Sequence, residues 1–318
     1  MRLLLGDYDI WHRHWPSRSL NHSNPVKALL KVLAAVICTL IARLKGTRIV
    51  WTIHNIGSHE QFYPKLERLY WQFFIAQLDG YISLSESALC AARKRYPRLH
   101  RLPGAIVPHI HYREHYQDTI SSTEARKQLN IPHASKVVLL IGKLRSYKNV
   151  PALIETFRHI DDPQSLLYIV GQPANEAVAA SIAAAGQNAR GIRLVMAHVA
   201  EDDIQLYLRA ANLVVLPYRE ILNSGSALLA LSFDCPILVP ELGSLGELQG
   251  LVGDSWVMTY TKALTPQTLR EGLTWATETV RSHRAPLDNL DSKQIAYQTI
   301  DVYQDILDTG TLSEKLAL

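Results

Sequence analysis

A few short stretches of this 318-residue chain carry the residue types that chemistry needs. Ser224-Gly225-Ser226 follows a polar loop that includes Tyr218 and Asn223, and it precedes the apolar run 227–231. A serine there offers an N-cap oxygen, and a glycine lets backbone come close to a ligand. A helix starting at that point would present its first N–H groups and its dipole to a phosphate. Gly142-Lys143-Leu144-Arg145-Ser146-Tyr147-Lys148 follows another apolar run and holds a guanidinium fork and a compact ammonium fit for an anion. His12-x-His14-Trp15-Pro16 and Thr52-Ile53-His54-Asn55, with His59 and Glu60 close behind, gather imidazoles and a carboxylate, the groups that move protons near neutral pH. Taken singly, each stretch has an ordinary reading as a helix cap, a solvated basic loop or histidines that satisfy local hydrogen bonds.

What joins them is position. Each follows a short apolar run of the kind that forms a buried parallel strand, and in open α/β sheets ligands gather at the carboxyl ends of strands. The runs at 9–11, 48–53, 80–84 and 106–108 read as strands, with helices over 25–44, 64–77 and 86–95 between them. His109 ends the last of these strands. A possible capping box at Ser121 and Glu124 marks a boundary near 117–135. A second alternation then begins, with strands at 137–141, 166–170, 192–195, 213–216, 236–239 and 256–259. Strands and helices alternating at this spacing argue for parallel βαβ units. We read domains at 1–120 and 134–290, and a terminal helix within 291–318 whose apolar face holds Ala296, Ile300, Tyr303 and Leu307.

Bulk composition narrows the class. The chain is 47% hydrophobic and 19% charged, which is globular and too apolar for disorder. A formal charge of +4 suits an anionic ligand or an anionic membrane surface. Its basic residues lack interleaved aromatics, which speaks against nucleic acid. Cys38, Cys90 and Cys235 show no pair spacing and fit a reducing compartment. The beginning of the chain does not read as a signal peptide, so a cytoplasmic location is expected. The uncharged run 32–42 is shorter than the ~20 residues a bilayer span needs. It reads first as a buried helix covering a sheet, and second as an interfacial helix flanked by Lys27, Lys31, Arg43 and Lys45. Arg93, Lys94, Arg95, Arg98 and Arg101 form a further basic cluster that could meet lipid headgroups.

The fragment PYREILNSGSALLALSF, followed by CPILVPELGSLGEL, resembles the donor-binding segment of GT-B glycosyltransferases of bacterial exopolysaccharide clusters, the group 1 type, near the xanthan-assembly β-mannosyltransferases. The resemblance implies two Rossmann-like domains with parallel sheets facing a central cleft and a C-terminal helix returning to the first domain. It implies transfer of a hexose from a nucleotide-diphosphate sugar to a glycan, with a polyprenyl-diphosphate-linked acceptor expected, at the inner face of the plasma membrane. Arg145 and Lys148, with Ser224, Gly225 and Ser226, would grip the donor diphosphate. Gly142, Gly171, His198, Tyr218, Asn223 and Glu247 would line the nucleotide or sugar. His14, Trp15, Asn55, His59 and His109 would face the acceptor. Relatives in the retaining branch carry two glutamates in the donor segment. Here Glu220 stands near the first, but the second falls at Leu228 or Leu229. That departure favours inversion, with Glu60 and then His54 as the base and Glu220 only positioning the sugar. No Asp-x-Asp metal motif is evident, so no metal or other cofactor is expected. Two rivals stay open: a nucleotide-sugar epimerase of the same architecture, and a non-catalytic glycan-binding partner of another transferase.

Overall fold

The computed structural model describes residues 6–20, 22–57 and 62–315. The chain divides into two units, Met1–His109 with Ser292–Leu318, and Ile110–Asp291. The first begins β1 (Ile10–Arg13), α1 (Pro25–Leu44), β2 (Arg48–Ile53), α2 (Pro64–Ala76), β3 (Gly80–Ser83), α3 (Glu86–Arg95) and β4 (Gly104–Ile106). Its strands are all parallel, in the order β1-β2-β3-β4. From Ile49 onward β2 is wholly buried, as a parallel strand covered on both faces must be. The Asp79 carboxylate fastens this layer. It accepts the Ile49 N–H at 2.7 Å and pairs with the Arg43 guanidinium of α1 at 2.7 Å.

Two expectations need correcting here. Pro25 opens α1 behind an Asn24 cap that accepts the Val26 and Lys27 N–H groups, but the helix is not a buried one. It buries Ala28, Val32, Ala35, Thr39 and Ala42 and leaves its larger apolar residues in solvent. Mostly small side chains let it lie close on β2 and α2, so its bulk points the other way. The basic cluster that spans the last turn of α3 and the segment after it is also partly committed inward: Arg93 donates to the Tyr81 hydroxyl at 2.7 Å and Arg98 to the Leu78 carbonyl at 3.3 Å.

The second unit starts earlier than the capping-box boundary, because residues 110–120 are bonded into it. The Tyr112 N–H donates to Ser232 Oγ at 2.9 Å, Arg113 pairs with Asp234 at 2.7 Å, and the Thr119 N–H donates to Gln205 at 2.9 Å. The unit runs α4 (Ser122–Gln128), β5 (Lys136–Ile141), α5 (Val150–Arg158), β6 (Ser165–Val170), α6 (Glu176–Gly186), β7 (Ile192–Val195) and α7 (Ile204–Ala210). It continues β8 (Leu213–Val215), α8 (Gly225–Ser232), β9 (Ile237–Pro240), α9 (Ser244–Val252), β10 (Val257–Tyr260) and α10 (Pro266–Glu278). Six parallel strands form the order β10-β9-β8-β5-β6-β7. Arg126 of α4 is buried and satisfies the Ala210, His133 and Ser135 carbonyls and the Asn212 side chain, so its charge is spread over acceptors instead of standing alone. α9 is absent from the sequence reading because Gly243, Gly246 and Gly250 mask its period. Gly243 is required there: at φ +54°, a Cβ would meet the Ile221 carbonyl oxygen at 2.3 Å.

The last helix, α11 (Ser292–Lys315), packs on β3 and β4 of the first unit. Its buried face is not the one expected. Ile295, Val302 and Ile306 are buried, while Ala296 and Ile300 are exposed. Ile306 sits so close to β3 that a Cβ on Gly80 would lie 2.3 Å from its Cδ1, which fixes the helix's rotation about its own axis.

A candidate donor site and a histidine cluster

β5 lies between β6 and β8, so the sheet of the second unit reverses its winding at the β5/β8 pair. That reversal leaves a crevice at the carboxyl ends of the two strands, where ligands of open α/β folds bind. Gly142 ends β5 at φ +111° and Gly171 ends β6 at φ +142°. A Cβ at Gly171 would stand 2.2 Å from the Gly142 carbonyl oxygen, so neither loop could take this path with a side chain at 171. Gly171→Ala should therefore lower stability by about 1–3 kcal/mol, read as the midpoint of denaturant unfolding, with loss of any site built on Gly142.

Lys148 stands at this end of β5. It is buried, it closes the short 3-10 turn after β5, and its Nζ lies 3.2 Å from Ser226 Oγ and 5.4 Å from the Tyr218 ring centre. Burial pushes its pKa down to about 8, with Arg145 adding repulsion and Tyr147 opposing it. No carboxylate pairs with Lys148 or Arg145 among the described residues. Ser224 caps α8, accepting the Ala227 N–H at 3.3 Å, so the serine, glycine and serine do open a helix. A Cβ on Gly142 would be 2.9 Å from Ser226 Oγ and 3.2 Å from Lys148 Nζ, so strand end, helix start and lysine meet at one point. The Tyr218 hydroxyl is buried against them without a hydrogen bond of ordinary geometry, and burial pushes it up to about 12 against the pull of the Ser226 and Ser224 hydroxyls. A buried hydroxyl of this kind, beside an ammonium that no carboxylate neutralises, can donate to acceptor oxygens.

Other predicted residues stand apart from this point. His198, Glu220 and Glu247 are exposed, Glu247 in the first turn of α9 and Glu220 in the loop after β8. Asn223 is half-buried just ahead of the Ser224 cap. Leu228 and Leu229 belong to the hydrophobic core, so a second donor-segment carboxylate has no counterpart here. Tyr112 escaped the sequence reading. Its hydroxyl lies 3.0 Å from where a Gly225 Cβ would be, in a segment with no spacing to signal it.

In the first unit the ends of β1 and β2 bring His12, His14, Thr52 and His54 together. His14 Nδ1 lies 3.0 Å from His54 Nε2, and Trp15 stacks on the His54 ring at 4.6 Å. His12 is held on both sides, by Thr52 Oγ1 at 2.6 Å and by the Tyr303 hydroxyl of α11 at 2.5 Å. Burial, then the neighbouring imidazoles, push His54 down to about 3 and His12 down to about 4, and burial with His109 lowers His14. The cluster is neutral at pH 7. Asn55 follows His54, half-buried; His59 and Glu60 lie outside the described residues.

Two parallel-sheet units, one of them winding away in both directions from a cationic strand end, have the architecture of GT-B glycosyltransferases. Solved structures agree on the fold. Sucrose-phosphate synthase from Thermosynechococcus elongatus superposes with a TM-score of 0.68 at 16% identity, covering 95% of this chain and 74% of that one. Anabaena HepE in complex with UDP-glucose gives 0.66 at 17%, covering 96% and 79%. Residues 121–248 match the family described as glycosyl transferases group 1. The GDP-mannose:glycolipid 4-beta-D-mannosyltransferase of Xanthomonas campestris pv. campestris is 32% identical over 265 residues, 81% of this chain and 68% of that protein. The chain belongs to the group 1 glycosyltransferases, and it is a hexosyltransferase that uses a nucleotide sugar.

Proposed function

We propose that this enzyme transfers mannose from GDP-mannose to a lipid-linked glycan in cell-surface or exopolysaccharide synthesis, working as a peripheral protein at the inner face of the plasma membrane. The donor is held on the Ile110–Asp291 unit and the acceptor on the unit that carries the histidine cluster. The observation that carries the donor half is Lys148: a buried, unneutralised ammonium with Arg145 beside it, at a helix start that supplies Ser226. A nucleoside diphosphate gains negative charge as it leaves, and fixed cations in a water-poor crevice stabilise that charge. The choice of mannose and of a glycolipid acceptor rests on the Xanthomonas relative's name. We expect these two side chains, and not a divalent cation, to neutralise the diphosphate.

The test is thermal unfolding with nucleotide sugars. GDP-mannose at ~100 times its Kd should stabilise the fold by about 2.7 kcal/mol, and UDP-glucose at the same concentration by less. Excess EDTA should change neither the GDP-mannose shift nor turnover. A panel of nucleotide sugars that leaves the transition unmoved would overturn the reading, and a shift that EDTA abolishes would overturn its metal-free part.

A further inference from the structure

Among the described residues, α1 carries a run of large apolar side chains exposed to solvent. At about 100° per residue, Val26, Leu29, Leu30, Leu33, Ile37, Leu40 and Leu44 fall on one arc, roughly opposite the small buried residues. They are in solvent: Val26 is 64% exposed, Leu30 59% and Ile37 55%. The amphipathy is inverted, with small side chains toward the protein and large apolar ones away from it. The helix contains no Asp or Glu. Lys27 and Lys31, one turn apart, border the arc on the side where Ala34 and Cys38 lead to a hollow of about 600 Å³. That hollow is lined by Trp11, Arg13, Arg18 and Lys31. Arg13 lies 4.5 Å over the Trp11 ring and Arg18 5.7 Å from the Trp15 ring. None of Arg13, Arg18, Lys27 and Lys31 pairs with a carboxylate among the described residues.

We infer that α1 is a membrane-docking helix, which lies in the plane of an anionic bilayer with its Val26–Leu30–Leu33–Ile37–Leu40 arc among the acyl chains and seats a lipid phosphate in the Arg13–Arg18–Lys31 hollow. The charge argument selects this occupant. An apolar arc bordered by uncompensated cations matches the two layers of an anionic lipid surface, phosphate above hydrocarbon, which a second copy of the same basic face does not. The helix is long and apolar enough to cross a membrane by length and composition. Crossing would require it to leave β2 and α2, against which Ala28, Val32, Ala35, Thr39 and Ala42 are packed, so an in-plane position keeps both faces covered. This sharpens the membrane part of the proposed function, rests on it in no other respect, and is separable from the transfer chemistry.

The experiment is vesicle flotation of the full chain, with phosphatidylglycerol-containing and pure phosphatidylcholine vesicles. The protein should float with the anionic vesicles, and much less so when salt screens attraction beyond ~8–10 Å. Leu30→Glu with Leu33→Glu should cut flotation at least about ten-fold. Arg18→Glu with Lys31→Glu should bring anionic vesicles down to the level of neutral ones. Leu33→Trp supplies an insertion readout at an exposed position: relative to the wild type with its six tryptophans, the added emission should be quenched by bromine-labelled acyl chains. No flotation with either vesicle, no quenching, or a dimer in light scattering that Leu30→Glu with Leu33→Glu dissolves would each overturn the inference. Normal flotation by a protein whose unfolding no nucleotide sugar shifts would leave α1 docked and remove the proposed donor.

Discussion

Arg145→Ala and Lys148→Met should each lower kcat by about 10²–10³, equivalent to ~2–4 kcal/mol of transition-state stabilisation. The two should part company in stability. Lys148 is buried with Ser226 Oγ as its hydrogen-bond partner, and its pKa falls from 10.5 to about 8. The unfolded chain therefore binds a proton that the folded one resists between those values. Folded-state stability rises with pH through that window, and at pH 7 the charge opposes folding by an amount on the order of 3 kcal/mol. Methionine keeps the stem and removes the charge, so Lys148→Met should melt higher than the wild type while losing turnover. A purely structural lysine would show the reverse. Arg145 is half-buried, and its loss should leave the melting temperature nearly unmoved. Measuring kcat and thermal unfolding on both variants decides the matter; near-normal transfer by either one removes that side chain from the diphosphate grip.

How much of this was legible before folding depends on how local each feature is. Parallel strands such as β5 and β8 are apolar runs, and the loops after them carry Lys148 and Tyr218 because the fold exposes strand ends and little else. Ser224 could be read as a cap because an N-cap needs only its own side chain and the next turn. Features that depend on a distant partner were not legible. His12 finds Tyr303 from the other end of the chain, and α11 turned its face by about one position because Ile306 had to meet Gly80. The division at 110 hangs on Arg113 finding Asp234, which no spacing announces. α1 is the instructive case. Its hydropathy suits a core helix, but hydropathy does not say which side of a helix the protein takes. Small residues won the sheet because they let the backbones approach, and the large ones were left outside.

The product of the reaction should have the anomeric configuration opposite to that of its donor. GDP-mannose holds its sugar through an α bond, and the Xanthomonas relative is named for forming a β-mannoside. In this chain, a retaining mechanism built on paired donor-segment carboxylates finds Leu228 and Leu229 in the core and only Glu220 within the segment's loop. Inversion needs one base: the acceptor oxygen attacks the anomeric carbon, the C–O bond to phosphate breaks with its electron pair on the diphosphate, and the hydroxyl proton goes to the base. We expect the His14–His54 pair to take that proton. The two rings meet through an Nδ1···Nε2 contact at 3.0 Å, so a proton taken up by the pair would make the shared bond charge-assisted. A base held as low as about 3 is always neutral but weak, so its contribution belongs near the lower end of the ~10²–10⁴ range. His54→Ala should lower kcat by about 10², Glu220→Gln by little, and Glu60→Gln should show whether that carboxylate shares the role. The kcat/KM profile should stay flat from about pH 7, below the titration of Lys148, down to about 5, where an ordinary histidine base near 6.5 would already have failed. Stability moves the other way. His12 and His54 take up protons near 6.5 when unfolded and only near 4 and 3 when folded, so the fold weakens steadily as pH drops below about 6.5, and the rates must be taken on protein shown to be folded. NMR of the product's anomeric proton is the deciding measurement. A retained configuration, with His54→Ala fully active, would overturn both the stereochemistry and the base.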